Sequence, residues 1–351
     1  MRWQIALVVV SLSGFSVFAA DVPAPTGAVV VPEGAKLELL FTRSAKIKGG
    51  LTEGPACAPD GSIYFSDIPI GSDKGLIMRF NPKTKTTIVF EADSYKSNGL
   101  KFDAQGRLVA CEGADGGGRC VSRYDVNTGQ REVLADRFMG KRFNAPNDLV
   151  IDRKGRIYFS DPKYLGPEKR ELEHMAVYRI DTDGTVVEVT HDASKPNGVA
   201  LSPDEKTLYV INHDNLNERL DIQANPVEKG PMTVYTFPLG PDGLVSGKRF
   251  KLIDVSPRNG FDGMCVDEKG NLYLALRDIF RPGVLVTGPN GHEIAFIPTG
   301  APQPNVKEPV GIPSNVCFGA GGEKSTLYIT VDTSLYRIKL KIPANKHVWE
   351  K

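Results

Sequence analysis

The sequence has almost no surplus of charge. Its 351 residues set 43 Lys and Arg against 42 Asp and Glu, a formal net charge of +1. Proteins that grip polyanions carry a basic excess, so a nucleic-acid partner is not expected. Cysteine is sparse: five residues over this length do not make a disulfide scaffold. Histidine also numbers five, and no Gly-x-Ser-x-Gly turn occurs, so a Ser/His/Asp hydrolase has little to build on. Gly116–Gly118 lacks the Lys-Ser/Thr and the strand–helix context of a phosphate-cradling loop. Helical periodicity is nearly missing; Pro167–Met175 comes nearest and reads as a loop. Beyond the N-terminus no apolar run is long enough to span a bilayer.

The N-terminus has the one long apolar run. Arg2 precedes a stretch from Ile5 to about Phe18, broken by Ser11, Ser13 and Gly14 and ended by Ala19 and Ala20. This pattern reads as a secretory signal over residues 1–20, followed by a polar, Pro-rich linker over 21–33. The expectation is an exported protein without membrane attachment after cleavage. In such a compartment Cys111 and Cys120, which flank a Gly-rich loop, have the option of a bridge. Cys57, Cys265 and Cys317 occupy strand positions where a small thiol packs in a core.

Glycine and proline are plentiful, at 36 and 25 residues, and they punctuate a repeat. Each copy has a polar residue, usually Gly, an apolar run, a turn, and a second apolar run. Examples are Glu53-Gly-Pro with Asp60-Gly61 and Ile63–Asp67, and Asn147-Asp-Leu with Lys154-Gly155 and Ile157–Asp161. The lead residues are Glu53, Asn98, Asn147, Asn197, Asp262 and Ser314, spaced by roughly 50 residues, the period of a propeller blade. Each copy is a β-hairpin by its chemistry, and further strand-like runs lie between copies. The expected fold is all-β: a six-bladed β-propeller over residues 34–341, each blade a four-stranded antiparallel sheet, with a tail over 342–351. The last run, Ser334–Leu340, leaves the sixth blade one strand short, and Lys36–Phe41 is suited to close the ring.

All six lead residues carry a side-chain oxygen and precede the innermost strand, at one rim of the central channel. The second strand returns toward the same rim, ending at Asp67, Glu112, Asp161, Asn212 and Asp332. Carboxylates and amides without histidine suit a hard divalent cation. The bland alternative is that the Asn residues cap strand starts and the acids are solvated. Long segments at Gly113–Arg119, Pro162–Glu173 and His213–Gly230 are expected on this face, and Arg142 approaches it ahead of Asn147.

At these residues the chain resembles the family of gluconolactonases and senescence marker protein-30, and more distantly the squid-type diisopropyl fluorophosphatase. The motifs are Glu53-Gly-Pro with Tyr64-Phe-Ser-Asp67, Ser97-Asn-Gly-Leu100, and Ala145-Pro-Asn-Asp148 with Tyr158-Phe-Ser-Asp-Pro162. Pro196-Asn-Gly198, Phe261-Asp-Gly-Met264 and Ser314-Asn-Val-Cys-Phe-Gly319 complete the series. Where bacterial relatives often carry Glu-His-Gly after the second-blade strand, this chain has Glu112-Gly113-Ala. The resemblance implies a divalent cation held by Glu53, Asn147, Asn197 and Asp262, with Ca²⁺ first and Zn²⁺, Mg²⁺ or Mn²⁺ as alternatives. It also implies hydrolysis of a small sugar lactone; together with the signal it points to periplasmic export or full secretion, and a monomer or dimer is expected.

In that reading Asp262 is the general base and Glu53 is mainly a ligand. Asn98 and Arg142 orient the substrate, assisted by Glu112 or Tyr164. Two rivals stay open on the residues alone: a phosphotriester or other ester hydrolase on the same scaffold, and a non-catalytic propeller that binds a ligand or a protein at its rim.

Overall fold

The computed structural model describes residues 22–43, 50–216, 230–303 and 306–350. The signal read over residues 1–20, and most of the fourth-blade loop expected over 213–230, lie outside the described residues.

Local chemistry sets the hairpins first. Asp103, Asp152 and Asp267 each turn a carboxylate oxygen onto the backbone N–H groups two and four residues on, at 2.8–3.0 Å. Each closes the turn between a first and a second strand. Gly155, two residues before the second strand of its blade, has a φ of 83°, which an L side chain resists.

The first blade consists of Leu51–Cys57, Ile63–Ile68, Leu76–Asn81 and Thr86–Glu91, and the second of Ser97–Phe102, Leu108–Glu112, Cys120–Tyr124 and Arg131–Ala135. The third has Leu149–Ile151, Ile157–Asp161, Ala176–Ile180 and Val186–Thr190; the fourth, Pro196–Leu201, Thr207–His213, Met232–Pro238 and Phe250–Asp254. Phe261–Val266, Leu272–Leu276, Gly283–Thr287 and Glu293–Pro298 make the fifth. The sixth takes Pro313–Phe318, Thr326–Val331 and Ser334–Lys339 from the C-terminal part, and its outer strand is Glu38–Thr42. Glu38 pairs with Arg337 and Thr42 with Ser334, so the expected closure holds, with the strand two residues later at its start and one at its end. Arg43 then donates to Asp67 in the first blade.

Six apolar clusters lie one in each space between neighbouring blades. Both faces of every sheet are therefore covered, and the inner strands read as nearly unbroken apolar runs below their polar first residues. Pro167–Met175 contains no helix; the helical turn among the described residues is Gly321–Glu323. A two-stranded hairpin, Arg137–Phe138 with Lys141–Arg142, sits outside the blades.

All five cysteines are free. Cys120 lies opposite Glu112 in the ladder, whereas Cys111 lies opposite Val121. Adjacent strand residues face opposite sides of a sheet, so the two thiols are turned apart.

Candidate active site at the channel mouth

Strand register shows that the six lead positions are equivalent. In every blade the residue three places after the lead residue pairs with the second or third residue of the next strand: Ala56 with Tyr64, Lys101 with Val109, Val150 with Tyr158, Ala200 with Tyr209, Cys265 with Tyr273 and Cys317 with Tyr328. In five blades a register irregularity falls at or just after the lead residue. A bulge there re-aims one side chain without shifting the strand below it.

The residue after the lead is glycine in four blades, and these glycines crowd one another around the axis. A Cβ on Gly54 would come within 2.1 Å of the Asn98 carbonyl oxygen, and one on Gly198 within 2.6 Å of that of Asp262. The two exceptions, Asp148 and Asn315, belong to opposite blades. Each turns its side-chain oxygen back to the next backbone N–H, at 2.9 and 2.8 Å.

Glu53 is buried and held through one oxygen. Its Oε2 accepts from the Gly54 N–H at 2.7 Å and from the Asn315 amide at 3.0 Å. Burial, then the charges of Asp262 and Asp148, push its carboxyl well above the usual range. Asp262 is held through Oδ2 by Arg277 at 3.0 Å. Asn197 donates through Nδ2 to the Tyr164 hydroxyl at 3.1 Å, and that hydroxyl donates to the His213 carbonyl at 3.2 Å. The Asn197 amide is thereby oriented, with its carbonyl oxygen left for another partner. The side-chain oxygen of Asn98 is buried with no hydrogen-bond partner among the described residues.

Other expected site residues fare differently. Ser314 turns its hydroxyl to the Thr52 carbonyl at 2.6 Å and to Thr330 at 2.8 Å, so the sixth lead position is structural. Glu112 is not brought to the mouth. It is fully buried and turned into its own blade, where Arg131 grips both oxygens at 2.7 and 2.6 Å and Ser122 donates at 2.5 Å. Arg142 lies on the hairpin outside the blades, with its guanidinium on the Gly118 carbonyl at 2.7 Å. Tyr164 stands behind Asn197, which makes it a positioning residue.

The acids and amide at the ends of the second strands do not line the channel either. Asp161 accepts from the N–H groups of Asn144 and Ala145 at 2.8 and 2.7 Å, Asp332 from Gly311 and Ile312, and Asn212 from Lys195. Each clamps the backbone two or three residues before a lead residue.

Sequence reasoning missed Arg277, Asn315 and His213. The first two are single residues in ordinary strand and loop contexts, and only ring closure brings Asn315 onto Glu53. His213 is buried, and its Nδ1 lies 2.9 Å from the Phe261 carbonyl, which requires that nitrogen to carry the proton. Burial lowers its pKa, so it is a neutral imidazole at the mouth.

The donor set is all oxygen: two carboxylates and the amides of Asn98, Asn147 and Asn197. Among the described residues no three His, Cys, Asp or Glu side chains form a ready cluster, so amides must complete any coordination shell. A buried Glu53 carboxylate repelled by Asp262, together with an orphaned amide oxygen on Asn98 of the next blade, is what a hard divalent cation would satisfy. The residues fit such an ion.

Comparison with known proteins agrees with the fold. Over 314 residues the chain is 29% identical to a gluconolactonase of Zymomonas mobilis, covering 83% of this chain and 78% of that one. It is 28% identical over 254 residues to the lactonase drp35 of Staphylococcus epidermidis, covering 71% and 70%. Among solved structures, a gluconolactonase of Xanthomonas campestris superposes with a TM-score of 0.73 at 30% identity, covering 95% of this chain and 99% of that one. The profile described as SMP-30/Gluconolactonase/LRE-like region matches residues 51–333. With that match over most of its length, the chain belongs to the SMP-30/gluconolactonase/LRE-like family.

Proposed function

We propose that the protein hydrolyses a small sugar lactone of the gluconolactone type with the help of one divalent cation, Ca²⁺ before Zn²⁺, Mg²⁺ or Mn²⁺. The observation that carries this reading is the convergence of Glu53, Asp262 and the oriented Asn197 amide at the mouth of a propeller whose relatives are lactonases. Glu53, Asn147, Asn197 and Asp262 would hold the ion. When bound, the cation supplies polarisation of a carbonyl and compensation for the negative charge that develops on its oxygen.

The protein's own groups supply the rest. Arg277 fixes Oδ2 of Asp262, leaving Oδ1 as the atom that takes a proton from the attacking water. Tyr164 sets the Asn197 amide, and Asn315 sets Glu53. Asn98, with Arg142 at the outer wall, orients ring hydroxyls. Export to the periplasm belongs to the same proposal and rests on residues 1–20 alone; cell fractionation tests it.

The decisive experiment follows hydrolysis of glucono-1,5-lactone by pH-stat, corrected for spontaneous opening, after EDTA and after adding back each cation. Metal-restored turnover is expected. Metal binding without turnover would keep the site and overturn the substrate, directing the search to esters and phosphotriesters. Absence of metal binding would overturn the site.

A further inference from the structure

The other end of the channel holds a second chamber. Its wall includes all six residues that stand three places after the lead positions: Ala56, Lys101, Val150, Ala200, Cys265 and Cys317. At about 3.3 Å per residue these lie roughly 10 Å down the inner strands from the mouth. Five of the six are small or apolar. The exception is a lysine.

The Lys101 side chain makes no hydrogen bond or ion pair among the described residues, although it is partly buried. It shares the chamber wall with Val150 of the third blade, Cys265 of the fifth, Cys317 of the sixth and His347 of the C-terminal tail. A residue of the second blade that lines one cavity with residues from every other blade stands beside the propeller axis.

The tail forms the floor of this chamber. Ala344 bridges Asp267, His347 Nε2 lies 3.1 Å from the Gly319 carbonyl, and the His347 and Trp349 rings stack at 4.8 Å. Trp349 packs against the clusters on both sides of the first blade. At the lip, Arg153 is within 3.9 Å of Glu205, while Lys346 has no ion pair among the described residues. The lining is thus net basic on an apolar wall, and the cavity is ≈ 150 Å³.

We propose that this lower chamber binds a small organic monoanion, a carboxylate with a compact apolar body, whose charge pairs with Lys101 and whose carbon skeleton fills the apolar wall. A cavity of about this size takes a single benzene-sized body, which sets the upper limit on that skeleton. The site is separate from the channel mouth and does not depend on the lactonase reading.

Benzoate is the probe, with benzyl alcohol and benzylamine as uncharged and cationic counterparts. Binding to the mature protein is measured by calorimetry and ligand-observed NMR, with EDTA and with Ca²⁺. Benzoate should bind best of the three, equally with and without the cation. Lys101→Met should weaken it at least about tenfold, as expected for a lost charge-assisted hydrogen bond, and Lys101→Arg should restore most of it.

Equal binding by wild type and Lys101→Met would overturn the proposal, as would preference for the alcohol or no benzoate binding at 10 mM, roughly the weak end of specific ligand binding. Binding that appears only with Ca²⁺ would place benzoate at the mouth and also overturn it. If Lys101→Met does not fold, a crystal of wild type soaked in 4-bromobenzoate decides. Anomalous density beside Lys101 supports the chamber, and density only elsewhere, or none, refutes it.

Discussion

Glu53 has 3% of its surface exposed, yet it is an acid set among other acids. Two hydrogen bonds hold one of its oxygens, while burial and the charges of Asp262 and Asp148 raise its pKa. Between its unfolded pKa, near 4.3, and that raised value, the folded protein binds more protons than the unfolded chain. The associated stability is present below the unfolded value and lost as pH rises through the folded one. In EDTA at neutral pH, Glu53→Gln should therefore raise the melting temperature, by about 2 °C for each kcal/mol relieved. The same change should lower kcat/KM by about 10²- to 10³-fold. A lower melting temperature for the variant, by calorimetry, would show that the carboxylate is satisfied by the protein alone. At Asp262, Arg277→Met should reduce kcat/KM about 10- to 100-fold by loosening the carboxylate, without a change in fold by circular dichroism.

At the scale of strands, the bulges and the carboxylate clamps work together. A bulge turns the lead residue into the channel, and the last residue of the second strand pins the chain just before it. Asp161 is the clearest clamp: burial pushes its pKa to about 7 despite two backbone donors. The stability linked to this group is full below about pH 4 and falls as pH rises to about 7. Asp161→Asn should flatten that part of the difference in unfolding free energy between pH 5 and pH 8. It should also cost about 1–3 kcal/mol where an amide N–H faces a backbone N–H. Denaturant titrations at the two pH values check both. The clamps were legible in the sequence as acids at strand ends, and so was their placement near the mouth. Which way they face was not. A strand residue's side depends on register and twist, and Asp161 at the end of its strand has no sequence neighbour that distinguishes channel from backbone.

For the molecule as a whole, stability depends on closing a ring from the two ends of the chain. Glu38–Thr42 is the strand that the N-terminal segment adds to the sixth blade, and Leu40 in it is buried against the first-blade core. Leu40→Ala should cost about 2–5 kcal/mol in urea unfolding while leaving the channel mouth and its activity at 25 °C intact. A loss below about 0.5 kcal/mol would mean that the closing strand contributes little beyond its backbone ladder.

The sequence by itself determined the number of blades, the strand that closes the ring, and the six lead positions. These follow from local chemistry repeated six times: alternating apolar runs, Asp and Gly turns, and an oxygen-bearing residue before each inner strand. Only the tertiary structure decided how the equivalent positions diverge. Ser314 turns to backbone, Glu112 turns into its blade, Asn315 crosses a blade boundary to Glu53, and Lys101 joins residues of the other blades in one cavity wall. Each of these depends on partners from another blade or another strand, over sequence separations as large as 262 residues. A repeat makes positions equivalent along the chain, but their contacts are set when the ring closes and each meets a different neighbour.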